Sequence, residues 1–319
     1  MMFRFLARFL PAAPIHRSFG VLAGTLAAVL PLAAADPVII DCHVHLWTRS
    51  RPEGIEWIKK DDPVLFRDYL PADFKAEAKA NGVDGVVLVQ AGQSLPDNQW
   101  NLDVSAGDKA LYRGVVGNLS RVIGSDGFGP LFAQLCKDPR YLGYRLSGRY
   151  QEELGEAFFR DLELTARAGK SVDFLIGAYS LKDVEAIARR MPGLRIILDH
   201  FGNIRLDGMP LDPAWVAEFR AVAKHPNVYC KVSALYGRVE KQPAPRDPAF
   251  YRPILDLAFD AFGEDRLILG SDWPVSRAGG DYASLLALTR GYFEAKGQAV
   301  CEKLFHGNAV RFYAIPAAD

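Results

Sequence analysis

The sequence predicts an α/β fold, a (β/α)8 TIM barrel in a single domain, and three observations carry that prediction. Short apolar, β-branched runs alternate with longer amphipathic segments from Pro37 onward, which is the rhythm of strands crossed over by helices in a parallel sheet. Eight such runs can be counted. The roughly 280 residues that follow Ala35 suit eight strand and helix units, which typically need about 250. An open doubly wound sheet is the alternative, but no glycine-rich phosphate turn follows the first run.

The runs span 38–46, 85–91, 112–119, 141–146, 172–177, 194–200, 228–234 and 266–272. Most are continuously apolar rather than alternating, as expected of strands covered on both faces. Between them, Leu154, Phe158 and Leu162 recur every fourth residue in 152–168, with Ala157 and Thr165 alongside, so one helical stripe faces a core. Segments 183–191, 214–224 and 251–262 each end on a helix-stop signal, respectively Pro192-Gly193, Pro226 and Gly263. Segment 120–139 is the weakest helix because Gly124, Gly127 and Gly129 fall within its first half. No internal repeat or linker interrupts 36–319.

Basic and acidic side chains balance at 38 each, which removes the electrostatic footprint of a nucleic-acid binder. Half the residues are apolar and 24% are charged, so the chain can bury a large core beneath a polar surface. Arg4, Arg8 and Arg17 precede the apolar stretch 19–35, which closes on Ala33-Ala34-Ala35. This is the pattern of a signal peptide over 1–35, and about 17 residues is short for a bilayer span. An uncleaved anchor is the alternative. Both readings export 36–319 to the periplasm or beyond, and cleavage would leave no stable membrane insertion. Cys42 and Cys230 lie in strand-like runs and Cys136 and Cys301 in helix-like ones. Buried thiols account for them, and the spacing selects no pairing.

In a barrel, residues at the C-terminal ends of strands face the active-site mouth, so polar side chains that close apolar runs are the informative ones. The first run reads Asp41-Cys42-His43-Val44-His45, and a two-residue period puts Asp41, His43 and His45 on one face. Such a histidine pair can grip one metal ion or polarise one substrate oxygen. Asp199-His200 closes the sixth run, Lys231 and Ser233 lie in the seventh, Ser271-Asp272 closes the eighth and Arg145 the fourth. His225 and His306 fit a surface and a structural role.

Four segments together resemble the amidohydrolase superfamily: Asp41-Cys42-His43-Val44-His45-Leu46-Trp47, Leu198-Asp199-His200-Phe201-Gly202, Lys231-Val232-Ser233 and Gly270-Ser271-Asp272-Trp273-Pro274-Val275. Gln90-Ala91-Gly92-Gln93-Ser94 and the closing Gly307-Asn308-Ala309-Val310-Arg311-Phe312-Tyr313 resemble its branch of sugar-lactone and 2-pyrone-4,6-dicarboxylate lactonases. The resemblance implies a barrel hydrolase with His43, His45, His200 and Asp272 at the functional positions. Arg145 stands where two-metal members carry a lysine or glutamate, and the fifth run lacks the histidine of many one-metal members. A two-metal centre is therefore not expected. His43, His45 and Asp272 could hold one zinc or manganese ion, while some lactonases of this branch work without metal, so the resemblance leaves both open.

The expected reaction is hydrolysis of a cyclic ester of a sugar acid or pyrone carboxylate. Asp272 acts as general base on water, His43 and His45 stabilise the oxyanion, and His200 serves that oxygen or the departing one. Arg145, Lys231, Ser233 and Arg277 are the expected substrate-binding groups, with Trp47 and Trp273 as apolar faces. Arg205, Arg238 and Tyr236 are further candidates, and loop 48–70 with Trp57 could close over the site. Two alternatives remain: a metal-dependent decarboxylase of an aromatic or pyrone acid on the same fold, and an exported, non-catalytic ligand-binding barrel. The expected partner is a small molecule; oligomeric state is not set by the sequence.

Overall fold

Each β-branched run becomes a strand in a computed structural model described over residues 38–147, 154–177 and 179–315. The strands are β1 (Ile40–Val44), β2 (Gly85–Val89), β3 (Tyr112–Asn118), β4 (Tyr141–Leu146), β5 (Ser171–Phe174), β6 (Arg195–Leu198), β7 (Val228–Val232) and β8 (Leu267–Leu269). They follow one another in spatial order, and each pairs in parallel with the next. The sheet closes on itself where Val44 bridges Trp273, with His45 N–H donating to Trp273 O and Asp272 N–H to His43 O, both at 2.8 Å. That closure excludes the doubly wound alternative, in which β1 would lie inside an open sheet.

The strands are shorter than the runs, and the residues left over are the polar ones. The ladder of β8 ends at Leu269 and that of β6 at Leu198, which releases 270–272 and 199–200 into the mouth. Helices follow with their expected signals. Ser180 and Asp183 form a capping box at the start of Leu181–Arg190, and Asp212, Asp247 and Asp281 cap the helices Pro213–Ala223, Pro248–Phe262 and Tyr282–Glu294. Helix Glu156–Arg167 buries Phe158, Leu162 and Thr165, the stripe read from the sequence. The glycine-rich segment yields only Phe128–Leu135.

Alternate strand residues separate two apolar layers. Val86 and Leu88 join the layer shared with the helices. Val87 and Val89 point inward and meet Ile40, Cys42, Val116, Leu142, Ile197 and Ile268. Ala309, Phe312, Tyr313 and Ile315 complete that inner cluster, so the C-terminal helix Asn308–Tyr313 plugs the end opposite the mouth. Arg195, at the start of β6, ties the plug by donating to Phe312 O at 2.7 Å. Among the described residues no helix is long and apolar enough to cross a membrane. All four cysteines are free, three of them buried. The expected signal segment lies outside the described residues.

Candidate active site

A register shift between Asp41 and Val44 in the β1 pairing with β2 decides how the first strand serves the mouth. The two-residue period placed Asp41 on the face of His43 and His45; the structure corrects this. Ile40 and Cys42 face the barrel interior, whereas Asp41 turns outward and accepts from Ser271 N at 2.8 Å, His43 N at 3.1 Å and the Tyr282 hydroxyl at 2.8 Å. The irregularity then brings His43 inward beside His45, with ring centroids 4.8 Å apart. Gly270 makes room for this, because a Cβ there would lie 2.6 Å from His43 Cβ.

Three imidazoles converge on one carboxylate oxygen. Asp272 Oδ1 lies 3.2 Å from His45 Nε2, and 3.8 Å from both His43 Nε2 and His200 Nε2. His45 Nδ1 sits 2.6 Å from Val89 O, so it carries the proton and its Nε2 turns a lone pair toward Asp272. His200 Nδ1 lies 2.7 Å from Ser233 Oγ, which also receives the His200 backbone N–H at 3.2 Å. Donation of the hydroxyl proton to Nδ1 would leave His200 with its N–H at Nε2. Asp272 and His200 both have positive φ, 61° and 53°, a backbone region uncommon for non-glycine residues that recurs at functional sites.

Burial governs the protonation of these groups. It holds the His43 and His200 pKa values well below the ordinary histidine range, with the Lys231 charge adding to the effect at His43 and the nearness of His43 adding to it at His200. It raises Asp272 above the ordinary carboxylate range, against the opposing pull of its contact with His45 and of the Arg145 charge.

Above the carboxylate opens a cavity of about 360 Å³ lined by His45, His200, Asp272 and Arg145 from strand ends, by Asn203 from the short kinked helix after β6, and by Trp57, Glu56, Gln93, Ser147 and Arg238 from loops. Arg145 is 5% exposed and donates to Gln90 O at 2.6 Å. The other expected substrate contacts do not line it. Lys231 is fully enclosed below the histidines, with its ammonium 2.6 Å from Asp173 and 3.0 Å from Asp199. Ser233 serves His200. Trp47 and Trp273 are buried against Tyr69, at centroid distances of 5.1 Å each, and Arg277 lies over the Tyr69 ring. Arg205 borders a separate surface pocket, and Tyr236 is buried against Tyr251. Sequence reasoning missed Glu56, Ser147 and Asn203. Ser147 carried a signal, since it follows Arg145 by two residues and shares its face.

A family model described as Amidohydrolase matches residues 40–315. The chain belongs to the amidohydrolase family. It is 31% identical over 292 residues to an L-fucono-1,5-lactonase of Burkholderia ambifaria, covering 88% of this chain and 97% of that protein. A crystal structure of an amidohydrolase from Burkholderia multivorans with bound HEPES superposes with a TM-score of 0.77 at 28% identity, over 88% of this chain and all of that one. A second crystal form of that protein, with bound zinc, gives a TM-score of 0.75 at 28% identity over the same shares.

This amidohydrolase has a donor set that fits one divalent ion. Among the described residues, His43, His45 and Asp272 each offer a ligand atom within 4.8 Å of the others, and neighbouring ligands of a tetrahedral zinc stand about 3.4 Å apart. The His45 lone pair facing Asp272 itself calls for a cation or a proton between them. His43 Nε2 is buried without a hydrogen-bond partner. A lone pair there would require its proton on Nδ1, with Asp199 Oδ1 at 3.4 Å as acceptor.

Proposed function

We propose that this amidohydrolase opens the ring of a sugar-acid lactone with a water molecule activated by Asp272. The convergence of three histidine Nε2 atoms on Asp272 Oδ1 at the cavity floor carries the reading, and the 31% identical lactonase supports it. Asp272 accepts the proton of a water held against it, and that water attacks the ring carbonyl. The His200 Nε2–H, at the cavity wall, binds the oxygen as it gains charge. The ring C–O bond then breaks, His200 gives its Nε2 proton to the departing oxygen, and the proton on Asp272 restores the histidine. The product is a hydroxy acid, whose carboxylate finds Arg145 and Arg238 at the cavity wall. A divalent ion, held by His43, His45 and Asp272, would supply Lewis-acid polarisation of the same carbonyl.

Glu56, Gln93, Ser147 and Asn203 give the cavity hydrogen-bonding partners for ring hydroxyls, and Trp57 offers an apolar face, which favours a polyhydroxylated ring over a flat pyrone. Residues 1–35 would export the enzyme, and this reading predicts a mature N-terminus at Asp36 in the periplasmic or secreted fraction.

A panel of sugar lactones, pyrone carboxylates and aromatic acids, assayed with and without chelator for acid release and for carbon dioxide, tests the proposal. Ring opening of sugar lactones supports it. Carbon dioxide release from an aromatic acid would establish the decarboxylase instead, and ligand binding without turnover would leave a binding barrel.

A further inference from the structure

Behind the cavity wall that carries Arg145 runs a chain of polar groups that the hydrolytic steps above do not use. Asn98 on helix Pro96–Ala106, Asn118 at the end of β3, and Ser120 and Ser147 in the segments that follow β3 and β4 are all buried. Asn98 fixes the backbone of Asn118, accepting its N–H at 3.0 Å and donating to its carbonyl at 3.1 Å. Asn118 Oδ1 accepts the Ser120 N–H at 2.9 Å, and Asn118 Nδ2 donates to Ser147 Oγ at 2.9 Å. Ser120 Oγ in turn accepts the Ser147 N–H at 2.8 Å.

These bonds leave one direction for the Ser147 hydroxyl proton. A backbone N–H only donates, so Ser120 holds the amide oxygen of Asn118 on its own side and the amide NH2 on the side of Ser147. A hydroxyl has one proton and two lone pairs. Asn118 occupies a lone pair, and no described residue accepts the proton. Ser147 is 7% exposed and lines the cavity, so the acceptor that a buried hydroxyl needs can come only from the cavity side. Arg145, two residues earlier on the same face, lines the cavity as well. Its Nη2 donates to Gln90 O at 2.6 Å and Ala91 O at 3.2 Å, and its Nε is buried without a partner. Among the described residues no carboxylate pairs with it. The two carboxylates of the cavity are engaged elsewhere, Glu56 with Gln93 N and Arg121 and Asp272 with the histidines.

We infer that Ser147 and Arg145 seat the carboxylate that ring opening releases, with the Asn118 amide turning the serine proton toward it. A carboxylate accepts at both oxygens and brings no proton of its own, which matches a hydroxyl held as a donor beside a guanidinium. A ring hydroxyl uses such a pair of donors less fully, because its own proton finds no lone pair on Arg145. The inference rests on the lactone reading and narrows it: Ser147 meets the acid end of the product and leaves Glu56, Gln93 and Asn203 to the ring hydroxyls. The hydroxy acid is then held more tightly than the neutral lactone that gives rise to it, and it inhibits the enzyme as it accumulates.

Calorimetry tests this without turnover. The wild-type protein and Ser147→Ala are titrated with the sodium salts of gluconic and galactonic acid and with the primary amides of both, in which an NH2 replaces one carboxylate oxygen. Wild type should bind the better acid at least about tenfold more tightly than its amide. Ser147→Ala should weaken the acid about tenfold and the amide less than about threefold, and Ser147→Thr, which keeps the hydroxyl, should hold the acid within about threefold of wild type. A second measurement needs no variant: the hydroxy acid made from a lactone that the wild-type protein opens should compete with that lactone, with a Ki below its KM. Equal losses of acid and amide in Ser147→Ala, no preference of the wild type for the acid, or a Ki above KM overturns the assignment. Failure of the wild-type protein to open any lactone would overturn the function instead, while the acid and amide affinities still decide whether Ser147 recognises a carboxylate.

Discussion

His45 Nε2 stands 3.2 Å from Asp272 Oδ1 while its Nδ1 is held 2.6 Å from Val89 O. The carbonyl can only accept, so the ring cannot turn its own neutral N–H to the carboxylate, and the pair shares an extra proton or a cation. An amide in place of Asp272 keeps the shape, donates one N–H to His45 and loses the base. Asp272→Asn should therefore lower kcat by about 1,000-fold while thermal unfolding stays close to wild type. A folded variant with more than a tenth of wild-type turnover would remove Asp272 as the base.

The same pair governs metal binding. Titration of the chelator-treated protein with zinc should reach about one ion per chain, and His45→Ala should weaken binding at least on the order of 100-fold by removing the one imidazole whose lone pair already faces the site. Elemental analysis and calorimetry measure both. Equal affinity in His45→Ala would place the ion elsewhere.

The eight strands and the mouth residues His45, His200, Asp272 and Arg145 were legible because strand periodicity and polar strand ends are local properties of the chain. Asp41 was misread for a local reason too: a strict two-residue period holds only until a bulge shifts the register. Lys231 was misread differently. Its place in a strand was correct, but a lysine at a strand end and one sealed beneath the mouth read alike until Asp173 and Asp199 on neighbouring strands supply its counter-charges. Glu56 reaches the cavity through a loop path and Asn203 through the short kinked helix after β6, neither of which periodicity encodes.

Acid should destabilise the fold through its buried histidines. In the unfolded chain a histidine titrates near 6.5, whereas burial, and then the neighbouring His43, hold His200 neutral well below that value. Below about pH 6.5 the unfolded chain binds a proton that the folded one refuses, so stability falls with falling pH by up to about 1.4 kcal/mol per unit for each such group. The buried Asp41 and Asp173, raised by burial, act oppositely, because the folded chain takes up their protons first. Urea unfolding from pH 7.5 to 5 isolates the histidine by comparison with His200→Gln, whose stability should vary less steeply over this range. Parallel curves would mean that His200 is not held neutral by the fold.

Tyr282→Phe should cost stability and leave the substrate untouched. Its hydroxyl donates at 2.8 Å to Asp41, a carboxylate that also holds Ser271 N and His43 N and so ties β1 to the turn after β8. Removing the donor leaves a buried acceptor short of one partner, about 1 to 3 kcal/mol. Chemical denaturation should show that loss with KM unchanged; a raised KM in a stable variant would show that the tie also shapes the cavity.

Trp57 should act on binding rather than on chemistry. Loop 48–70 is fastened across the mouth by the Arg51 pair with Asp97, by Gln93 N donating to Glu56 Oε1 at 3.1 Å and by Trp57 Nε1 donating to Ala91 O at 3.0 Å. The indole stands edge-on to Trp47 at 6.0 Å, lines the cavity and is still 44% exposed, so a substrate ring can cover the rest of it. Trp57→Ala removes that face from both the bound substrate and the transition state, since no charge develops there. KM for a sugar lactone should rise about tenfold, equivalent to roughly 1.4 kcal/mol, with kcat within a factor of two. Trp57→Phe, which keeps an apolar face but not the bond to Ala91 O, should fall between. A drop in kcat at constant KM would instead mean that the loop closes only as the reaction proceeds.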